Sequence, residues 1–241
     1  MRIPTTFTLP ASAEEATAIQ DELRTRVITV DPRPPAFATV AGLDSAYDDE
    51  TGLAASAAVV LDAHSLTPLE TAVAHGEVRF PYVPGLLAFR ELPTTLAALA
   101  QLTTTPDLLV CDAQGLAHPR RFGLACHVGV LCELPAIGVA KNAWGVWSEP
   151  GPRRGDATDI LLDGEVVGRA LRTRDGVKPV FVSVGHAIGL DTACAQVLAL
   201  TPRYRQPETT RQADQLCRRA LAEALAARSW PSAHPCGDAP P

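Results

Sequence analysis

Two aspartates stand where an apolar run gives out: Asp44 follows ATVAGL, and Asp112 follows DLLVC. Taken singly, a carboxylate in such a place serves equally well as a turn former or a helix cap. Two of them on strands expected to be neighbours make a different object. Carboxylates packed side by side repel and raise each other's pKa, which protons or hard cations relieve, and an all-oxygen donor set suits magnesium or manganese. Such ions can activate water, hold a phosphate and stabilise a leaving oxygen, so phosphodiester hydrolysis is the chemistry this pair points to. The following segment, AQGLAHPRRFG, adds His118, able to relay a proton or touch a phosphate, and Arg120 and Arg121, able to hold a backbone. For the arginines the alternative is a solvated helix start, a place the helix dipole makes unfavourable for cations.

The elements that must bring these residues together are read from periodicity. A helix is expected over 11–26, with Ser12 as its cap and Glu14 and Glu15 in its first turn. Strands over 37–46, 54–62 and 70–79, joined by turn-prone links, read as an antiparallel meander. Residues 86–102 have helical spacing, with Pro93 expected to break the helix or start a second one. A strand at 107–111, a helix at 122–134 and a strand at 136–140 then read as a β-α-β crossover. A hairpin turning at Asp163-Gly164, a strand in PVFVSVG and a long helix over TTRQADQLCRRALAEALAARS complete the order. The expected class is α/β: a mixed sheet of three antiparallel strands extended by parallel ones and flanked by helices, which resembles the ribonuclease H-like arrangement. In that arrangement the first strand lies parallel to the fourth, so Asp44 and Asp112 meet.

Composition allows one compact domain over residues 1–230, with 231–241 expected to be a disordered tail. No apolar run is long enough for a membrane span and the N-terminus lacks a secretory pattern, so a cytoplasmic protein without membrane association is expected, with a monomer as the default. A net charge of −6 argues against a protein that coats nucleic acid non-specifically, but not against a nuclease whose carboxylates are neutralised by cations. The six cysteines (Cys111, Cys126, Cys132, Cys194, Cys217 and Cys236) contain no C-x-x-C pair and read as small apolar residues of a reduced compartment.

The strings FPYVPGLLAFRELP, DLLVCDAQGLAHPRRFGLACHVGV and PAIGVAKN, in that order, resemble the central motifs of the endonuclease V family. VAGLDSAYDD before them, and RTRDGVKPVFVSVGHAIGLDTA and PETTRQAD after them, extend the likeness over roughly residues 12–220. The resemblance implies a metal-dependent nuclease, using Mg2+ with Mn2+ as a substitute, that acts on nucleic acid containing hypoxanthine. It further implies a nick at the second phosphodiester bond 3′ to the lesion, leaving 3′-hydroxyl and 5′-phosphate ends. By the same likeness Asp44, Asp112 and Glu91 are the metal-binding core and His118 an active-site histidine. Lys141 is placed near the reacting phosphate, where its charge can stabilise developing negative charge, and Asp214 falls at a position that varies within the family. Pro81-Tyr82-Val83-Pro84 resembles the family's wedge. Two prolines stiffen the backbone, and the tyrosine ring can fill the space a flipped base vacates. Gly85, Gly115 and Gly138 fall where the family builds its base pocket from closely approaching backbone, and Arg120 is counted with the DNA-binding set. Ala113 departs from the glycine more common after the aspartate and bears on the breadth of base selectivity.

Other candidates read as structural. His127 beside Cys126 cannot pair with it across adjacent helix positions and is expected in the core; His186 is likewise assigned to packing, and Asp48 to Glu50 to a solvated turn. Three alternatives to a nuclease of deaminated DNA stay open: an endoribonuclease of inosine-containing RNA, a nucleic-acid-binding module without catalysis, and a phosphohydrolase of small nucleotides. The intact carboxylate trio speaks against the second, and the wedge against the third.

Overall fold

The structure, a computed structural model, describes residues 3, 7–32 and 36–229. The expected tail at 231–241 and Cys236 lie outside the described residues. Helix α1 (Ala13–Arg24) starts where its cap demands: the Ser12 hydroxyl accepts the Glu15 N–H at 3.2 Å, and Glu15 reaches back to the Ala11 N–H at 2.7 Å. Strands β1 (Thr39–Asp48), β2 (Leu53–Asp62) and β3 (Pro68–Glu77) form the antiparallel meander. Helix α2 (Ala88–Leu99) leads to β4 (Leu108–Cys111), and α3 (Leu124–Cys132) joins β4 to β5 (Ala136–Ala140). The hairpin of β6 (Ala157–Leu162) and β7 (Glu165–Leu171) turns on Asp163 and Gly164, both at positive φ, as a two-residue turn requires. Strand β8 (Val180–His186), α4 (Leu190–Ala199) and α5 (Glu208–Ser229) close the order.

The strands form one eight-stranded sheet in the order β3-β2-β1-β4-β5-β8-β7-β6, with β4 parallel to both β1 and β5 and the other pairs antiparallel. This is the ribonuclease H-like arrangement. Alternation along the central strands feeds two layers. Val40, Leu108 and Val110 pack with Ala193, Val197, Ala213 and Cys217 from α4 and α5, while Ala41, Leu43, Leu109 and Cys111 pack with Leu92, Leu96 and Leu99 of α2 and Leu124 and Val128 of α3.

Three local expectations are corrected. Helix α2 runs through Pro93 without a break. Proline stands just past the first turn, so it removes a single intrahelical bond, and the buried face of Leu92, Leu96 and Leu99 keeps the helix continuous across it. Helix α3 begins at Leu124 rather than at Phe122, after a loop in which Arg121 has φ 53°, so His118, Arg120 and Arg121 precede the helix instead of opening it. Helix α4 was not anticipated: its Gly189 cap offers no side-chain hydrogen bond, and only Ala193, Cys194 and Val197 mark its buried face.

One glycine fixes the seat of α5. A Cβ on Gly42 would stand 2.2 Å from the backbone carbon and oxygen of Thr209, in the first turn of α5, and backbone cannot swing aside. Gly42→Ala is therefore expected to cost about 1–3 kcal/mol. A lowered thermal midpoint would register it; an unchanged one would show that α5 is not so constrained.

Candidate active site

Residue pairing brings the two aspartates together. In the parallel register Leu43 lies opposite Cys111, and the Asp112 N–H donates to the Leu43 carbonyl at 3.2 Å, so Asp112 leaves β4 tied to the residue before Asp44. The apolar run gives out at Asp44, but β1 continues through it to Asp48, two residues beyond the expected strand, because it stays paired with β2. Glu91 comes from the first turn of α2 and is buried. A chain of hydroxyls pins that turn to the sheet: Ser45 and Ser56 Oγ lie 2.7 Å apart, Ser56 Oγ donates to Thr94 Oγ1 at 2.6 Å, and Thr94 Oγ1 donates to the Glu91 carbonyl at 3.2 Å. A lone serine within the apolar β2 was the sequence signal for this link, and it went unread.

The trio is electrostatically one unit. Burial, then Asp44 and Asp112, push the Glu91 carboxyl up to about 8 against the pull of Arg90. Burial and then Asp112 raise Asp44 to about 7, while the Ser45 N–H at 2.8 Å and Lys141 oppose the rise and Asp214 adds to it. Lys141 Nζ sits 2.5 Å from Asp112 Oδ2. Burial would lower the Lys141 pKa, but Asp112, Asp44 and Asp214 outweigh it and raise it. Asp214, on α5, pairs with Arg218 at 2.7 Å. Among the described residues no group of three His, Cys, Asp or Glu side chains is closed into a metal cage. The donor set nonetheless fits a hard divalent cation. It is all carboxylate oxygen, and without an ion its repulsion is relieved by Lys141 and by protons on Asp44 and Glu91.

Beside the trio opens a cavity of about 570 Å³, lined by Asp44, Asp112, Lys141 and Asp214 and by Tyr82, Val83, Pro84 and Gly85. Ala113 and His118 also line it, which sets the Ala113 methyl against whatever enters. Trp144, 43 % exposed, also lines the cavity, as do Gln20 and Arg218, and no sequence motif pointed to any of the three. Arg205, outside the lining, feels the charge of Asp112: its guanidinium donates to the Lys178 and Pro179 carbonyls at 2.9 and 2.8 Å, and burial lowers its pKa against the opposing pull of Asp112.

Gly85, at φ 82°, lines the cavity, but Gly115 and Gly138 do not. A Cβ on Gly115 would meet the Val184 carbonyl oxygen at 2.1 Å, and one on Gly138 the Ala113 oxygen at 2.5 Å. These two glycines let the loop after Asp112 lie flat on β5 and β8 beneath the cavity. Pro81 also falls outside the lining. Arg120 is turned to protein: its Nε donates to Gln20 Oε1 at 2.6 Å and its Nη2 to the Gly85 carbonyl at 3.3 Å, which Gln20 Nε2 also reaches at 3.0 Å. It braces the Gly85 loop instead of facing outward. Arg121 pairs with Asp163 and Glu165. His118 accepts the Arg120 N–H on Nδ1 at 3.2 Å; burial, then the Arg120 charge, hold its pKa down at about 4, so the ring is neutral at pH 7.

The residues read as structural are so. His127 is fully buried with its ring 5.0 Å from that of Phe89 and 4.4 Å from that of Phe122, and His186 Nδ1 accepts the Ile28 N–H at 3.4 Å. The five described cysteines are buried and unbridged. The acidic turn is less idle than expected, because Asp49 accepts from Arg90 at 2.6 Å. Among the described residues no helix is long and apolar enough to cross a membrane.

The family model described as Endonuclease V matches residues 21–215. A protein of Nocardia farcinica named Endonuclease V is 77% identical over 217 residues, 90% of this chain and 96% of that protein. The crystal structure of the Endonuclease V of Streptomyces avermitilis is 61% identical, with a TM-score of 0.87 over 93% of this chain and 98% of that one. An Endonuclease V of Ciona intestinalis, solved with a 24mer DNA containing an inosine followed by a ribo-adenosine, is 29% identical, with a TM-score of 0.78 over 88% of this chain and 98% of that one.

Proposed function

This chain belongs to the endonuclease V family and is a nuclease, and we propose that it nicks deaminated DNA in a magnesium-dependent reaction. The substrate is a strand carrying hypoxanthine, and the cut falls at the second phosphodiester bond 3′ to the lesion, leaving 3′-hydroxyl and 5′-phosphate ends. The observation that carries this reading is that Asp44 and Asp112, electrostatically coupled to the buried Glu91, line a cavity that an exposed tyrosine between prolines also lines. Asp44, Glu91 and Asp112 would hold the ion, with Mn2+ able to replace Mg2+. Bound there, a divalent cation supplies activation of water and stabilisation of the leaving oxygen.

The chain's own residues divide the remaining work. Lys141 carries a fixed positive charge beside Asp112, placed to offset negative charge growing on the phosphate. Arg218 lines the cavity and Arg205 is electrostatically coupled to Asp112, adding a positive field along the approach of the backbone. His118, neutral at working pH, offers a hydrogen bond rather than a charge. Tyr82, 66% exposed, fills the space left by a displaced base, and the cavity receives that base.

A second reading has one specific observation in its favour: the Ciona relative was solved with a ribonucleotide directly after the inosine. Inosine-containing RNA is therefore the competing substrate. End-labelled DNA duplexes with one hypoxanthine, one uracil or no lesion, and a matching inosine RNA, separate the two when incubated with Mg2+, with Mn2+ and with EDTA. A single nick beyond hypoxanthine in DNA, abolished by EDTA, is expected. Equal cutting of the lesion-free duplex, or cutting of the RNA alone, would overturn the DNA reading.

A further inference from the structure

The geometry points to Arg90 as a positioning residue that, together with Tyr47, seats the ring of Tyr82 for insertion into a base stack. The inference rests on the wedge reading of Tyr82 above. Arg90 follows Phe89 and precedes Glu91 in the first turn of α2, and its side chain is 7% exposed. Its guanidinium carbon lies 4.6 Å from the centroid of the Tyr47 ring and 6.0 Å from that of Tyr82. Its Nη2 donates to Asp49 Oδ1 at 2.6 Å, and Asp49 is itself 77% exposed. A nearly buried cation thus reaches out of the core between a strand residue and the wedge, held at its tip by the β1–β2 turn.

Packing alone does not account for an arginine here. Among the described residues its buried Nε has no hydrogen-bond partner, a defect that an apolar side chain of similar volume would not carry. What the guanidinium does provide is a planar cation within reach of two aromatic rings, a role lysine cannot copy because its ammonium is a point charge without a stacking face. The contact with Tyr47 is close, and that with Tyr82 lies at the outer edge of the cation–π range, so Tyr82 is oriented yet remains able to leave. Pro81 and Pro84 restrict the backbone on either side of Tyr82, but they do not set its side-chain direction. Arg90 sets it, and because the next residue is Glu91, one helical turn places both the wedge and the buried carboxylate.

Single-turnover nicking of the full-length protein tests this on two substrates: a paired duplex with one hypoxanthine, and the same lesion in a single strand, where no stack has to be opened. Arg90→Lys is expected to slow nicking of the duplex by about tenfold, in the range that misplacement of a positioning group produces, and to leave the single strand within about twofold. Tyr47→Leu, which leaves Arg90 and Glu91 themselves unaltered, is expected to reproduce the pattern and covers the case in which Arg90→Lys does not fold. Because Arg90 acts through Tyr82, the double variant Arg90→Lys/Tyr82→Ala should be no slower on the duplex than Tyr82→Ala. Equal losses on both substrates, or additive losses in the double variant, would overturn the positioning role while leaving the wedge intact. A Tyr82→Ala protein that nicks the duplex at the unaltered rate would instead remove the wedge reading, and this inference with it.

Discussion

Replacing Asp112 with asparagine is expected to lower nicking on the order of 10³-fold or more while the protein stays folded. The substitution preserves shape and removes one negative charge from a position where charge is the function. Asp112 is the carboxylate that Lys141 holds at 2.5 Å and that helps to raise both Asp44 and Glu91. Without it, Asp44 and Glu91 lose a repelling neighbour, so the metal-free variant should melt no lower than the parent. The gain on adding Mg2+, by contrast, should disappear, because a ligand that binds only the folded state raises its stability and this variant binds the ion poorly. Nicking retained within tenfold, or an unchanged Mg2+-dependent rise in thermal midpoint, would remove Asp112 from the metal core.

Glu91→Gln should be as damaging to catalysis, and it carries a pH signature of its own. Glu91 has a folded pKa of about 8 against 4.5 ordinarily, and Asp44 about 7 against 3.8. Across those intervals the folded chain binds more protons than the unfolded one. In the metal-free protein this contribution to stability is therefore fully present below about pH 4 and is lost as pH rises through about 7 and 8. Glutamine stays neutral throughout, so the variant and the parent should melt alike near pH 4.5, with the variant increasingly the more stable up to pH 8.5. Saturating Mg2+ should reverse the order for the parent, since the ion takes over the role of the protons. Thermal melts at several pH values, with EDTA and with Mg2+, check this. Parallel curves for the two proteins would show that Glu91 is ionised in the fold.

Arg120 shows where a motif's residue types mislead about their roles. Its charge, next to a histidine and a second arginine, reads as a contact for a phosphate, yet two of its donors go to Gln20 and the Gly85 carbonyl. Gln20 lies in α1, a hundred residues away along the chain, and no local pattern announces that contact. The same holds for Gly115 and Gly138. Their closeness to other backbone was foreseen, but the partners are Val184 and Ala113, and the face they occupy is beneath the cavity rather than within it.

The sequence by itself determined the meander, the β-α-β step and the Asp163-Gly164 hairpin, because strand alternation, apolar runs and turn residues are written in neighbouring positions. It also determined that Asp44 and Asp112 meet, since parallel pairing of the first and fourth strands leaves little freedom in where their apolar runs end. Only the tertiary structure decided that α2 passes through Pro93, that Asp49 and Tyr47 engage Arg90, and that Glu91 is buried deeply enough to hold its proton. Burial and electrostatic potential at a site are sums over groups brought together from the whole chain. A periodic pattern can say which face of an element turns inward, but not which charges and rings it will find there.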